Sequence, residues 1–230
     1  QGSIRQNIEA AIKKGLAEVA ITDHGPASQS ITRLGVKDAA SLLEIKQEVE
    51  KYNRLYPEIN VLTGVEANII NLAADLDVPK FILKELDIVL VGLHLFIRPA
   101  DWRTGIAIIF NNLITKRLNL KQKEIRYNNT NLLLKALEKY DIDIITHPGY
   151  QLDIDTQTLA KAAAKNDTAL EINASHDYLS EAFVKVAAKE GVKFSLGSDA
   201  HKPKDVGRVE KALNIAKNIG LTADEIINVC

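Results

Sequence analysis

The chain has 230 residues, 46% of them hydrophobic and 26% charged, with a formal net charge of −1. Those figures suit one α/β domain over residues 1–230, with a sizeable core. The near-neutral balance argues against nucleic acid as the main partner. No apolar run approaches the roughly 20 residues of a membrane span, and a single cysteine, Cys230, leaves no internal disulfide framework and fits a cytoplasmic protein.

Ser3 and Gln6 form a capping-box pair at the head of SIRQNIEAAIKKG, where Ile4, Ile8, Ala11 and Ile12 share one face and Gly15 stops the helix. EVAITDH follows as a buried strand. Residues from Val36 to Leu55 read as a second helix, ahead of the strand VLTGVE. Asp77 is placed to cap a short helix running to Leu86, which leads into the strand IVLVGLH. An irregular stretch from Leu95 to Arg103 precedes a weaker helical region, and a clearer helix from Thr130 to Tyr140 delivers the chain to IDIITH. Asp155 caps the helix before ALEIN, and Asp177 caps the helix before KFSLGSD. Two helices end the chain, the second opened by the capping box of Thr222 and Glu225.

Strands alternating with helices imply βαβ units and a parallel sheet. The chain opens on a helix, so a strand ahead of it is expected to be missing. The preferred architecture is a distorted seven-stranded TIM-like (βα)7 barrel. An open doubly wound sheet is the alternative, although its ligands usually gather at one switch point.

Five of these strands finish in ionisable residues: Asp23 and His24, Glu66, His94, His147, then Asp199 and His201. A parallel barrel gathers the C-terminal ends of its strands around one mouth, so these side chains should converge. Taken singly the signals are weak. His24 in TDHG could cap the following turn, and Pro148 and Gly149 mark a turn where His147 would be ordinary. Glu66 says more, since a carboxylate closing an apolar strand is costly unless paired or metal-bound. Asp199 and His201 alternate along an extended segment and can point the same way. Imidazole and carboxylate in one cluster suit zinc, manganese or iron and point to a multinuclear metal hydrolase.

The ordered series ITDHGP, GVEANI, VGLH, ITHPG, LEIN and GSDAH resembles the PHP family, named for its polymerase and histidinol-phosphatase members, over essentially the whole chain. The stand-alone bacterial phosphatase branch looks nearest. The resemblance implies a distorted seven-stranded barrel with two or three divalent metals at its C-terminal mouth. It implies that Glu66 bridges two metals and shares one of them with Asp199, with His94 and His147 completing the other. His24 and His201 would hold a third ion, and Asp23 would orient a ligand or a water from behind. Family members also open with a His-x-His pair, and this chain has no histidine before His24. A truncated first strand is the expected reason.

A small-molecule phosphomonoester is the expected substrate, attacked by a metal-activated water, with Asp23, Glu66 and Asp199 as the catalytic carboxylates. No P-loop, nucleophile elbow or Cys/His pair offers another nucleophile. Arg98 and Arg103, in the loop after His94, are candidate phosphate ligands because guanidinium meets phosphate oxygens bidentately; a solvated loop is the bland reading. Lys202 and Asn173 complete the substrate-binding set. His176 reads as a capping or surface residue, and Trp102 as a pocket wall or a packing residue. Hydrolysis of a non-phosphate bond is one alternative function, and a catalytically impaired module with a structural or regulatory role is another.

Overall fold

A computed structural model of the protein describes residues 2–113, 121–176 and 180–229. Its six strands are β1 (Glu18–Ile21), β2 (Asn60–Asn68), β3 (Ile88–Gly92), β4 (Ile144–Ile145), β5 (Ala169–Asn173) and β6 (Phe194–Gly197). Each pairs in parallel with its neighbour in the chain, giving one sheet in the order 1-2-3-4-5-6. Parallel pairing forces every connection to cross back over the sheet, and helices make those crossings. The principal ones are Ser41–Leu55, Gln122–Lys139, Thr156–Lys165 and Glu181–Ala188.

Burial explains the apolar runs. β5 is buried at all five positions, and β2 is buried from Thr63 to Asn68. Such strands are covered on both faces, so alternation disappears. β1 departs from the expected buried strand. Glu18 is exposed, Val19 and Ala20 are half-buried, and only Ile21 is buried. β1 is an edge, hydrogen-bonded only to β2 among the described strands.

The sheet is curled. Laid flat, six strands about 4.8 Å apart would separate β1 from β6 by about 24 Å. Instead His24, just past β1, and His201, just past β6, bring their ring centroids to 6.1 Å. Val206, also beyond β6, packs into one apolar cluster with Ile8, Ile21 and Val61. The result is a parallel half-barrel whose strand C-termini face one mouth.

Local chemistry sets the helix ends. The Ser3–Gln6 capping box forms, opening Ile4–Lys13. The second long helix starts at Ser41 rather than Val36, because the Asp38 carboxylate accepts from both the Ser41 N–H and its hydroxyl. An unforeseen helix, Pro26–Thr32, comes before it. Asp77 does not cap the short helix Lys80–Leu83, whose N-cap residue is Pro79. Its Oδ2 instead accepts from the Ala27 N–H in the first turn of Pro26–Thr32, at 2.9 Å. The helix expected from Thr130 already begins at Gln122. Trp102–Thr104 runs straight into a π-helical stretch, Gly105–Phe110, in the region read as weakly helical. The Thr222–Glu225 capping box forms but opens a single 3₁₀ turn, Ala223–Glu225, instead of a helix. Ser180 is the N-cap residue of Glu181–Ala188, and Asp177 lies outside the described residues. Among the described residues no helix is long and apolar enough to cross a membrane.

Candidate metal centre

The mouth is built from alternate residues of the inner strand faces. On β2 this places Glu66 and Asn68 side by side, both buried; on β5 it places Glu171 and Asn173 together, buried as well. His24, His94, His147, Asp199 and His201 follow the ends of β1, β3, β4 and β6.

Glu66 is the hub. Its Oε1 accepts from the Thr146 hydroxyl at 2.8 Å and lies 3.1 Å from His147 Nε2 and 3.2 Å from His94 Nε2. The two imidazole nitrogens are themselves 3.2 Å apart. On the other oxygen, Oε2, His24 Nδ1 approaches to 3.4 Å. That nitrogen is buried and has no hydrogen-bond partner. His24, Glu66 and His94 offer ligand atoms all within 4.8 Å of one another. Three imidazole nitrogens converging on one buried carboxylate, one of them unsatisfied, make a donor set that fits a divalent cation.

A relay behind the hub orients His94. Its Nδ1 sits 2.8 Å from Asn68 Oδ1, while Asn68 Nδ2 donates to Asp77 Oδ2 at 2.7 Å. That second bond fixes which end of the amide faces the histidine. An oxygen facing Nδ1 keeps a proton on that nitrogen and leaves Nε2 as the ring atom directed at Glu66. Room for the ring comes from Gly92, where a Cβ would run into the His94 imidazole.

The electrostatics follow from burial and proximity. Burial alone would raise the Glu66 pKa, but hydrogen bonds from His147 and His94 outweigh it and hold the carboxylate well below its ordinary range. Burial would lower His147, yet its contact with Glu66 and the nearby Glu171 and Asp199 charges push it up to about 9. His94 stays lowered because burial dominates there. Burial also lifts Glu171 to about 7.

The far side of the mouth centres on Asp199. Its Oδ2 lies 3.1 Å from His176 Nε2 and accepts from Asn173 Nδ2 at 3.4 Å; its Oδ1 lies 3.4 Å from His201 Nδ1. Glu171 links the two sides. Its Oε2 accepts from the His147 N–H at 2.7 Å and from Asn173 Nδ2 at 3.1 Å. Only glycine at 197 leaves space for it, since a Cβ there would overlap the Glu171 carboxylate. His147 (φ 26°) and Asp199 (φ 47°), two of seven non-glycine residues with positive φ among the described residues, both have left-handed backbones and carry the strain of that conformation.

The structure therefore brings together His24, Glu66, His94, His147, Asn173, Asp199 and His201. It does not bring in the rest of the expected set. Asp23 is exposed, and its side chain makes no hydrogen bond or ion pair among the described residues. Neighbouring residues on an extended chain point oppositely, so His24 facing inward turns Asp23 out. Arg98 and Lys202 are exposed, and Arg103 is exposed with its guanidinium 5.5 Å from the Trp102 ring. Trp102 is itself 71% exposed and so is not a packing residue. The loop bearing Arg98 is tied to the mouth through its backbone, the Arg98 N–H donating to Ala27 O. His176, expected at the surface or as a cap, is at the cluster. Asn68, Asp77, Thr146 and Glu171 were not anticipated. Of these Glu171 had a signal, a carboxylate inside the apolar run ALEIN.

Comparison with known proteins agrees with this geometry. Residues 1–175 match the family model described as PHP domain. A probable phosphatase of Thermoanaerobacter sp. (strain X514) is 33% identical over 98% of this chain and 83% of its own length. A probable phosphatase of Shewanella frigidimarina is 31% identical over 94% of this chain and 77% of its own. The fold is shared with a histidinol phosphate phosphatase of Lactococcus lactis, solved with zinc, L-histidinol and phosphate. The TM-score is 0.64 at 16% identity, covering 96% of this chain and 89% of that one. On the family match and the relatives together, the chain belongs to the PHP domain family.

Proposed function

We propose that the protein is a metal-dependent phosphatase acting on a small phosphomonoester of the histidinol phosphate kind. The observation that carries this is the buried Glu66 carboxylate ringed by His24, His94 and His147, with the His24 Nδ1 left without a hydrogen bond. In this reading the whole chain is one domain, and the described residues supply six strands of the family's seven-stranded barrel. Two or three divalent ions, zinc first and manganese or iron as alternatives, would be held by His24, Glu66, His94, His147, Asp199 and His201. Such ions polarise phosphoryl oxygens and acidify water. The phosphatase names of the relatives and the zinc, histidinol and phosphate of the Lactococcus structure support the reading.

The protein's own residues then have separable tasks. Glu66 supplies the charge that gathers the cations, and Thr146 and Asn68 hold the donors in place. Asn173, buried between Glu171 and Asp199, presents its amide at the floor of the mouth. Arg98, Arg103 and Lys202 form a cationic rim that attracts a dianionic ester, while Asp23, facing solvent, acts on waters at the entrance.

Chelation tests this. Protein stripped with EDTA should lose p-nitrophenyl phosphate hydrolysis by at least ~10³-fold, as should Glu66→Gln, and zinc, manganese or iron should restore only the former. Undiminished hydrolysis after stripping would overturn the proposal.

A further inference from the structure

His176 follows β5 by three residues and is the one histidine that the strand-end pattern does not account for. One backbone contact and two ring contacts place it. The His176 N–H donates to Asn173 Oδ1 at 2.9 Å, which folds the loop back over the mouth. The imidazole stacks on Tyr150 with ring centroids 3.8 Å apart and planes 17° from parallel. Its edge meets the His147 ring at 5.8 Å in a T-shaped arrangement. With the backbone held and one face covered, Nε2 comes to 3.1 Å from Asp199 Oδ2.

That separation matches the donor–donor edge of a metal polyhedron. Two ligands bonded at about 2.1 Å to one ion stand about 3.0 Å apart in octahedral geometry and about 3.4 Å apart in tetrahedral. The Glu66 pairs with His94 and His147, at 3.2 and 3.1 Å, show the same spacing on the other side of the mouth. Asp199 has a second imidazole on its other oxygen, His201 Nδ1 at 3.4 Å from Oδ1. The His176 side chain is 27% exposed and the Asp199 side chain 14%, so an ion can reach both from solvent.

We propose that His176 is a ligand of a divalent ion held jointly with Asp199, at the β5 and β6 ends of the mouth. The proposal rests on reading the mouth as a metal centre, and it adds a nitrogen donor from the loop after β5. Asn173 positions that donor, and Tyr150 acts as a backing plate that keeps the imidazole plane aligned.

The test is titration of the metal-stripped full-length protein with Co²⁺ and Zn²⁺, comparing the wild type with His176→Ala and His176→Gln. Calorimetry would read stoichiometry and affinity, and visible absorption would read the cobalt ligand field. The wild type should bind at least two ions per chain. In His176→Ala one of them should be lost or weakened by at least ~10-fold, with reduced cobalt absorption from that site. His176→Gln should behave like the alanine variant, because an amide can donate to Asp199 but is a poor ligand. If the glutamine variant binds as the wild type does, or the alanine variant keeps both ions and an unchanged spectrum, His176 only hydrogen-bonds and the proposal fails. Wild-type binding of a single ion would also overturn it. Absence of any binding to the wild type would instead sink the metal-centre reading beneath it. Should His176→Ala fail to fold by circular dichroism, the glutamine variant decides the matter.

Discussion

The two sides of the mouth are built on different principles. On the β2–β4 side, Glu66 and His147 are each 8% exposed, and every donor has a second partner behind it: Asn68 for His94, Thr146 for Glu66, Glu171 for the His147 backbone. On the β5–β6 side, Asp199 faces two histidines, His201 has 42% of its side chain exposed, and support comes from a loop backbone and one stacked tyrosine. The buried side is organised by hydrogen bonds that leave its atoms little freedom. The open side trades that rigidity for access. On the proposed function, a mouth that grips ions and admits a substrate divides those duties between its halves.

Breaking the relay on the buried side should have the largest effect. Asn68→Ala removes the oxygen that faces His94 Nδ1 and the side-chain donor to the Asp77 carboxylate. Metal affinity, measured by competition with a chromophoric chelator, should fall about 10–100-fold. An effect no larger than that of an exposed control substitution would show that the two sides are equally loose.

The second test uses pH. His147 is held up to about 9 and Glu171 at about 7, so both groups bind protons more tightly in the folded chain than in the unfolded one. The stabilisation from His147 is complete below its ordinary value of 6.5 and is lost as pH rises through about 9. That from Glu171 is complete below 4.5 and is lost through about 7. Glu66 has the opposite sign, but its contribution is lost only on acidification below 4.5. His94 and His176, both held below 6.5, add stability only as pH rises toward that value, so the melting temperature of EDTA-treated protein should drop by several degrees from pH 7 to pH 9. Added zinc should flatten the profile, since a ligating His147 carries no proton on Nε2. A profile that rises across this range would contradict the coupling of His147 to Glu66.

The smallest effect should come from the rim. Arg98→Ala and Arg103→Ala, exposed and clear of the cluster, should leave metal content unchanged and raise KM for p-nitrophenyl phosphate by roughly tenfold or less, about 1.4 kcal/mol. Loss of bound metal in either variant would mean that the rim and the hub are not separate.

Much of this was legible before the structure. Apolar runs such as ALEIN and IVLVG, spaced by helical periodicity, set the order and parallel sense of the strands, because buried parallel strands and amphipathic helices leave different periods. Ionisable residues at the ends of those runs located the mouth. What stayed hidden depends on register and on contacts remote in the chain. Asn68 and His94 are 26 residues apart, and Thr146 and Glu66 are 80 apart. No local pattern encodes such pairings. Asp77 looked like a cap for the helix after it because capping chemistry is local, whereas its real partners come from β2 and from the turn after β1. His176 gave no signal, since it stands in a loop and acquires its place only through Asn173 and Tyr150. The outward turn of Asp23 was readable in principle, because the alternation along an extended chain places it opposite His24.

The left-handed backbones at His147 and Asp199 have a consequence for how such a protein changes over generations. Each conformation costs a residue with a Cβ about 1–3 kcal/mol, and glycine or asparagine would adopt it with less strain. Replacements at those two positions can thus relax the chain while removing a donor. Selection for stability and selection for chemistry pull in opposite directions there. A lineage released from the need to hydrolyse its substrate would be expected to let go of Asp199 early, and to keep His147 longer for its stabilising contact with the buried Glu66.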